Sequence, residues 1–557
     1  AVLGDGGDVR VLVQACPAMP TEVLGALDAA AQFGFVDAGE LARGRVLFPH
    51  TLTRQSVLDL TGPSRRAALH ARVGEVLQSS GDDSPRMVRQ LAYHFARAGA
   101  LGYVGYGGKA AEYLTQAAWD AERSLAFEDA AAWYAQAADL LDGAEAAREE
   151  LWFSAAHSFL RAGDFGAARE LYRKLCDSRD SQLRLRAAIG YEDAGWRPGL
   201  PGEDAVTLLT RALDGVPADP GDPRYVWARA SLGRAIAFTG DTGQARDLAW
   251  QTLAQARQLG DEQLLVHALE AMMWQTPGPE AVDQYRELAS ELARRAMASQ
   301  NWDALGTAGV FQAGIAYIRA DRAGWAEALA VLDRSVRGSG QPFLAYMRRC
   351  DDYALAFLRG DFAAAAQVAE DLVELGRSFG PDDTEGPYGL QMYMVRRETG
   401  ELEQVRPMVD VIRQSGDGWA PGLLALYTEL GMTSEAGALL AELLDWADEM
   451  PGGQSPWAQW TAVLVFLAEA AIALRDTAAA RRLRPKLTPY AGQQLIAGTF
   501  VAVFGPADTY LAALDSLIGD AESADLLFRR GVAQSQEFGA PVHKAAALTA
   551  WAVHLSA

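Results

Sequence analysis

Gly163-Asp164-Phe165-Gly166-Ala167-Ala168-Arg169-Glu170-Leu171-Tyr172 is the stretch that decides the fold. Glycine ends a helix because it tolerates the left-handed conformation after the last turn. The aspartate that follows accepts hydrogen bonds from free amides and caps the next helix. The alanine four residues after it lies where two helices cross, and its small side chain permits close approach. Tyr172, like Trp133 and Tyr134 on another such helix, fills the space the alanine leaves. The pattern returns at Gly240-Asp241…Ala245, Gly360-Asp361…Ala365, Gly400-Glu401…Val405, Gly431…Ala436 and Gly519-Asp520…Ala524. Degenerate rungs sit at Leu125…Ala130 and Arg475…Ala480. Most gaps are close to multiples of about 40 residues, a period that marks a solenoid. The short gap from Gly400 to Gly431 and the unmarked stretch from Gly240 to Gly360 predict places where the superhelix bends or widens.

Composition agrees with a stack of repeats. A single core stops growing near about 300 residues, whereas each solenoid repeat packs only on its neighbours. The chain has 557 residues, half of them hydrophobic, and no apolar run approaches the ~20 residues that span a bilayer. No membrane contact is expected, and the start carries no signal-peptide pattern. Cys16, Cys176 and Cys350 lie far apart, so they predict buried reduced thiols in a cytoplasmic protein, not a metal site or a disulfide framework. The net charge of -22 argues against a surface that grips nucleic acid. Lysine is rare and arginine abundant, which fits the coding bias of a GC-rich, actinobacterial type of genome and weakens arginine as a sign of anion binding.

Residues 1–61 read differently from the rest. Helical stretches over 8–16 and 21–34 precede two apolar runs, Phe35-Val36-Asp37 and Val46-Leu47-Phe48, which predict a small hairpin. A helix from His50 to Leu60 follows, the element order of a winged-helix unit. Gly62-Pro63-Ser64 breaks the chain. Residues 62–124 predict linking helices and residues 125–557 the repeat domain. From Arg65 onward apolar residues recur at helical spacing and no strand is predicted. The fold expected is all-α: a right-handed TPR-like α-solenoid of about ten or eleven helix pairs behind a small winged-helix unit.

Phe127-Glu-Asp-Ala130-Ala-Ala-Trp-Tyr134-Ala-Gln-Ala137 and Asp164-Phe165-Gly-Ala-Ala168-Arg-Glu-Leu-Tyr172 resemble the longer-helix form of the tetratricopeptide (TPR) family. A narrower resemblance comes from the two ends. Glu22-Val23-Leu24-x-x-Leu27-Asp28, Phe48-Pro49-His50-x-Leu52-x-Arg54, Arg65-Arg66-x-x-Leu69-His70 and Leu91-Ala-x-His94-Phe form one ordered series. Ala480-Arg-Arg-Leu, Tyr490-Ala-Gly492 and Phe504-Gly505-Pro506-x-Asp508-x-Tyr510 form the other. In that order they resemble the region after the nucleotide-binding domain of large bacterial STAND regulators, including LuxR-type activators of the maltose-operon kind and antibiotic-pathway regulators. The resemblance implies an NTPase domain upstream as the partner of this region, a small-molecule or peptide effector, and self-assembly. No nucleotide is expected in this chain itself, and ATP or ADP is expected in the larger parent from which the chain reads as a portion. It also implies that His50, with Arg54 beside it, contacts the nucleotide diphosphate there. Imidazole and guanidinium donors suit phosphate oxygens. A stand-alone adaptor that scaffolds proteins is the alternative reading.

The remaining motifs carry no chemistry. Gly102–Gly108 before Lys109 lacks the strand and the Lys-Ser/Thr of a phosphate loop. Asp351-Asp352 and Asp382-Asp383 lack a third acid four positions on, and solvated acids are expected. The seven histidines show no zinc-ligand spacing, and no enzyme is expected. Aromatic residues and arginines concentrate in the middle repeats. Tyr317, Tyr346, Arg348, Tyr353, Tyr393 and Arg396 are the candidates for an effector groove, since solenoids bind along the concave face.

Overall fold

The Gly-Asp rungs do what their chemistry requires. Gly360 ends helix Pro342–Arg359 at φ +79°, Asp361 caps helix Phe362–Gly376 by accepting from the Ala364 amide at 3.1 Å, and Ala365 is fully buried. Gly519, Asp520 and Ala524 repeat the arrangement. The degenerate rungs keep the backbone without the glycine: Leu125 and Arg475 sit at φ +61° and +53°. Rungs also occupy the stretch that looked unmarked. Gly260-Asp261, Gln300-Asn301 and Ala320-Asp321 all place a positive-φ residue before a capping side chain. They escaped notice because Leu265, Leu305 and Trp325 stand where the pattern wants alanine. The repeats therefore continue between Gly240 and Gly360.

The computed structural model describes residues 1–4, 6–100, 105–141, 143–197, 200–240, 242–275, 278–377, 385–415, 419–449 and 457–556. Asp241, Asp382-Asp383 and the first part of the Gly102–Gly108 turn lie outside them. Among the described residues are 29 α-helices and two short antiparallel sheets, and the fold is all-α and TPR-like. The chain forms two compact units, residues 1–162 with 167–179, and residues 163–166 with 180–557.

In the first unit the helices Pro63–Gln78, Pro85–Gly99 and Tyr106–Arg123 share one core with Ala15 and Ala137. Residues 62–124 thus pack as helix pairs continuous with the helix Phe127–Asp139. The N-terminal segment differs from the predicted hairpin. Gly7–Asp8 pairs with Arg45–Val46. Between the two predicted runs the Asp37 amide donates to the Leu47 carbonyl at 2.9 Å, while the Asp37 side chain caps a short helix, Ala38–Ala42, by accepting from the Glu40 amide at 2.9 Å. An aspartate in that position favours a cap over a strand.

The second unit contains the strands that the periodicity missed. Gln494–Ala497 and Ala502–Pro506 form a hairpin with every residue buried and a register shift between Leu495 and Ile496. Burial on both faces removes the alternation that betrays a strand. The hairpin joins repeats distant in sequence. Phe500 stacks on Trp325 at 4.8 Å, Thr499 Oγ1 donates to Met347 Sδ at 3.0 Å, and Thr461 Oγ1 donates to the Ile496 carbonyl. Around it, Gln493 Nε2 donates to the Pro279 carbonyl at 2.7 Å and Arg322 Nη1 to the Phe538 carbonyl at 2.8 Å.

Candidate functional site

The tyrosines expected along an open groove are packing residues. Tyr317 is fully buried and meets Trp325, Phe500 and Phe538 edge-on at 5.8, 5.7 and 5.5 Å. Tyr353 is also fully buried, and its hydroxyl donates to the Gln391 carbonyl at 2.9 Å. Tyr346 and Tyr393 are buried too, Tyr393 edge-on to Phe466. Arg348 belongs to an ion-pair ladder. Its Nε donates to Asp333 at 2.7 Å and its Nη1 to Asp352 at 2.6 Å, while Arg349 joins Asp352 to Asp371. Arg396 is half-buried on helix Glu385–Thr399. The aromatic density therefore fills space between helices and against the hairpin. Asp351 is not a solvated acid. It is buried, accepts from Trp325 Nε1 at 2.8 Å, and burial raises its carboxyl to about 7. In the first unit His50 is exposed at the start of helix Thr51–Asp59, and Arg54 Nε donates to the Ala1 carbonyl at 3.0 Å.

The second unit builds a cavity of about 520 Å³. Its apolar wall comes from Phe357, Ile472, Phe504, Val542, Ala546 and Ala550. Phe504 is on the second hairpin strand, and Val542, Ala546 and Ala550 are on the last helix, Pro541–Ser556. One guanidinium and three carboxylates line the rest: Arg397, Glu398, Glu429 and Glu469. Arg397 Nη1 donates to Glu469 Oε1 at 3.1 Å and its Nε to Glu398 at 3.4 Å. Its Cζ stands 5.7 Å from the Tyr393 ring centre. Burial raises the Glu469 carboxyl; Arg397 opposes the shift and Glu429 adds to it. His543 closes one side. Its ring accepts no proton easily, because burial lowers it to about 4, and Nε2 donates to the Val503 carbonyl at 3.2 Å. That bond fixes the Nε2–H tautomer. Tyr510 donates its hydroxyl proton to the Phe504 carbonyl at 3.1 Å.

A separate charged group lies in the earlier repeats of this unit. Arg234, fully buried, makes a two-pronged bond to Glu192 at 2.8 and 2.7 Å and a third to Asp193 at 3.0 Å. Trp196 receives Arg197 on its ring at 4.4 Å and Arg234 at 4.7 Å. Burial raises Glu192 to about 7 even against Arg234. The adjoining space, lined by Arg197, Glu270, Thr307 and Gln341, is about 10 Å³, room for about one water. The space beside this cluster is too small for a ligand, whereas the Arg397 cavity has the volume for one.

Arg397 stands next to the candidate Arg396, whereas Glu469 and His543 lie outside the set of candidates. A signal for Glu469 existed: it is the only charged residue in helix Trp457–Ala473. A lone charge in an apolar helix needs a partner. His543 gave no such signal, because its role depends on the hairpin that packs beside it.

No protein-family model matches the chain, and no curated protein matches it. Solved structures show similarity at low identity. A Rap protein complexed with competence and sporulation factor is 12% identical over 62% of this chain and 96% of its own, with a TM-score of 0.33. Yeast Tom70 is 15% identical over 79% of this chain and 96% of its own, with a TM-score of 0.32. A STAND protein with a tetratricopeptide-repeat sensor from Pyrococcus horikoshii is 12% identical over 87% of this chain and 61% of its own, with a TM-score of 0.25.

Proposed function

We propose that this chain is the sensor region of a STAND-type transcriptional regulator, and that an effector binds in the Arg397 cavity of its second unit. The ordered motifs at the two ends of the sequence carry the regulator reading. The cavity supports the effector part. Its volume falls within the range of small-molecule sites, about 300–1,000 Å³, and an apolar wall with a few convergent polar groups is the usual composition of such sites. An effector there touches the hairpin, helix 385–399 and helix 541–556 together. Binding shifts the parent between closed and open states only through different affinities for the two. His50 and Arg54 serve the nucleotide in the parent, and the upstream NTPase domain is the partner of this region.

The coding sequence upstream of Ala1 tests the reading. A Gly-x4-Gly-Lys-Ser/Thr loop after a strand is expected there. In a protein that has that loop, His50→Ala is expected to weaken ADP retention, measured by nucleotide release from the purified full-length regulator. A gene without the loop overturns the regulator reading and leaves a helical-repeat scaffold.

A further inference from the structure

We infer that the Arg397 cavity takes a small organic cation, an ammonium or guanidinium head on an apolar body. The inference deepens the sensor reading and rests on it. Three carboxylates, Glu398, Glu429 and Glu469, line the cavity against one guanidinium, leaving two negative charges in excess. That guanidinium is already committed, since Arg397 is bonded to both Glu469 and Glu398. Glu429 has no ion-pair partner among the described residues, and its field reaches the half-buried Glu469. An entering carboxylate has to displace Glu469 from Arg397 and then face the charge of the displaced group and of Glu429. An entering cation meets the opposite situation. It supplies the counter-charge that Glu429 lacks and relieves its repulsion with Glu469, and charge-assisted hydrogen bonds to carboxylates are the strong kind.

The rest of the ligand is set by the wall. Phe357 and Phe504 are almost fully buried, and Val542, Ile472, Ala546 and Ala550 continue their apolar surface. A hydrocarbon or aromatic body gains about 25 cal/mol for each Å² it removes from water there. A bare polyamine does not make use of this wall, and neither does a sugar. The ligand is therefore amphiphilic, with its head at Glu429 and Glu469 and its body between the hairpin and the last helix.

Calorimetric titration of the full chain tests this with benzylamine, phenethylamine and phenylbutylamine. Each is matched with the alcohol and the carboxylate of the same skeleton. The amines are expected to bind, the alcohols about tenfold more weakly, and the carboxylates not at all. Glu429→Gln, at an exposed position, is expected to weaken amine binding about tenfold without lowering the melting temperature. Ala546→Phe, also exposed, fills the cavity and is expected to abolish binding. Alcohols that bind as well as amines, a preference for the carboxylates, no binding by any probe, or full binding to Ala546→Phe each overturn the assignment. None of these outcomes touches the upstream phosphate loop, which decides the regulator reading separately.

Discussion

Arg234 shows how a buried charge constrains this molecule. Its side chain is 0% exposed, and its partner Glu192 is 2% exposed. Taking both out of water costs several kcal/mol, which their attraction offsets only with good geometry and further hydrogen bonds. Asp193 at 3.0 Å and the Trp196 ring at 4.7 Å supply that surplus. The pair is thus weak as an argument for stability but sensitive to losing one member. Arg234→Met is expected to destabilise the second unit by about 3–5 kcal/mol, because Glu192 is left buried without its counter-charge. Arg234→Met combined with Glu192→Met is expected to recover much of that loss. Urea denaturation of the two variants checks this, and a double variant no better than the single one contradicts it. Residues such as Leu125 and Arg475 show a smaller tension, with ordinary side chains held at positive φ. That conformation costs about 1–2 kcal/mol in an L-residue, and the rung is kept nonetheless.

The hairpin Gln494–Pro506 ties the second unit together. Gly505 sits at φ +85° in its second strand, and a Cβ there would stand 2.8 Å from the His543 ring. Gly505→Ala is therefore expected to push His543 and helix 541–556 away from the strand. Gly431→Ala is the control, since it carries the same left-handed strain at φ +68° with open space around it. The control is expected to cost about 1–2 kcal/mol, and Gly505→Ala clearly more. Amide exchange in helix 541–556 is expected to rise in Gly505→Ala alone, and equal exchange in both variants contradicts the argument. The break between helices 342–359 and 362–376 was legible in the sequence because Gly360 and Asp361 act on the backbone next to them. The hairpin was not, because Leu495–Phe504 is apolar on both faces and partners such as Trp325 and Met347 lie more than a hundred residues away. The same distance hid the cavity. Arg397 neighbours the candidate Arg396, yet it becomes a site only when Glu469, Phe504 and His543 arrive from three later elements. Tyr317 and Tyr353 misled for the converse reason: an aromatic at helical spacing looks the same whether it faces a groove or a plug.

At the scale of the whole molecule the two units differ in what they bury, and pH should separate them. In the first unit His70 Nδ1 lies 3.0 Å from His94 Nδ1, one ring donating and the other accepting. Burial, with Arg97 and Arg66 nearby, lowers His70 to about 4, and burial with His70 lowers His94 to about 3. An unfolded histidine titrates near 6.5. Between about 6.5 and 4 the unfolded state therefore binds more protons, so stability is complete above 6.5 and is lost as pH falls. Each histidine contributes on the order of 1 kcal/mol by pH 5, after a discount for solvent screening. In the second unit His267 and His543, lowered by burial to about 3 and about 4, act in the same direction. Glu192 and Asp351 oppose them. Burial raises both to about 7, so the folded state binds more protons between about 4 and 7, and their contribution is lost as pH rises through that range. The two effects offset in the second unit and have no such offset between His70 and His94. Two units need not unfold as one. Calorimetric scans from pH 7 to 5 are expected to show one transition falling with acid and another holding nearly constant. His70→Gln with His94→Gln is expected to flatten the falling one, which identifies it as the first unit. A single transition with the same pH slope in that variant would show that the histidine pair does not carry the acid sensitivity.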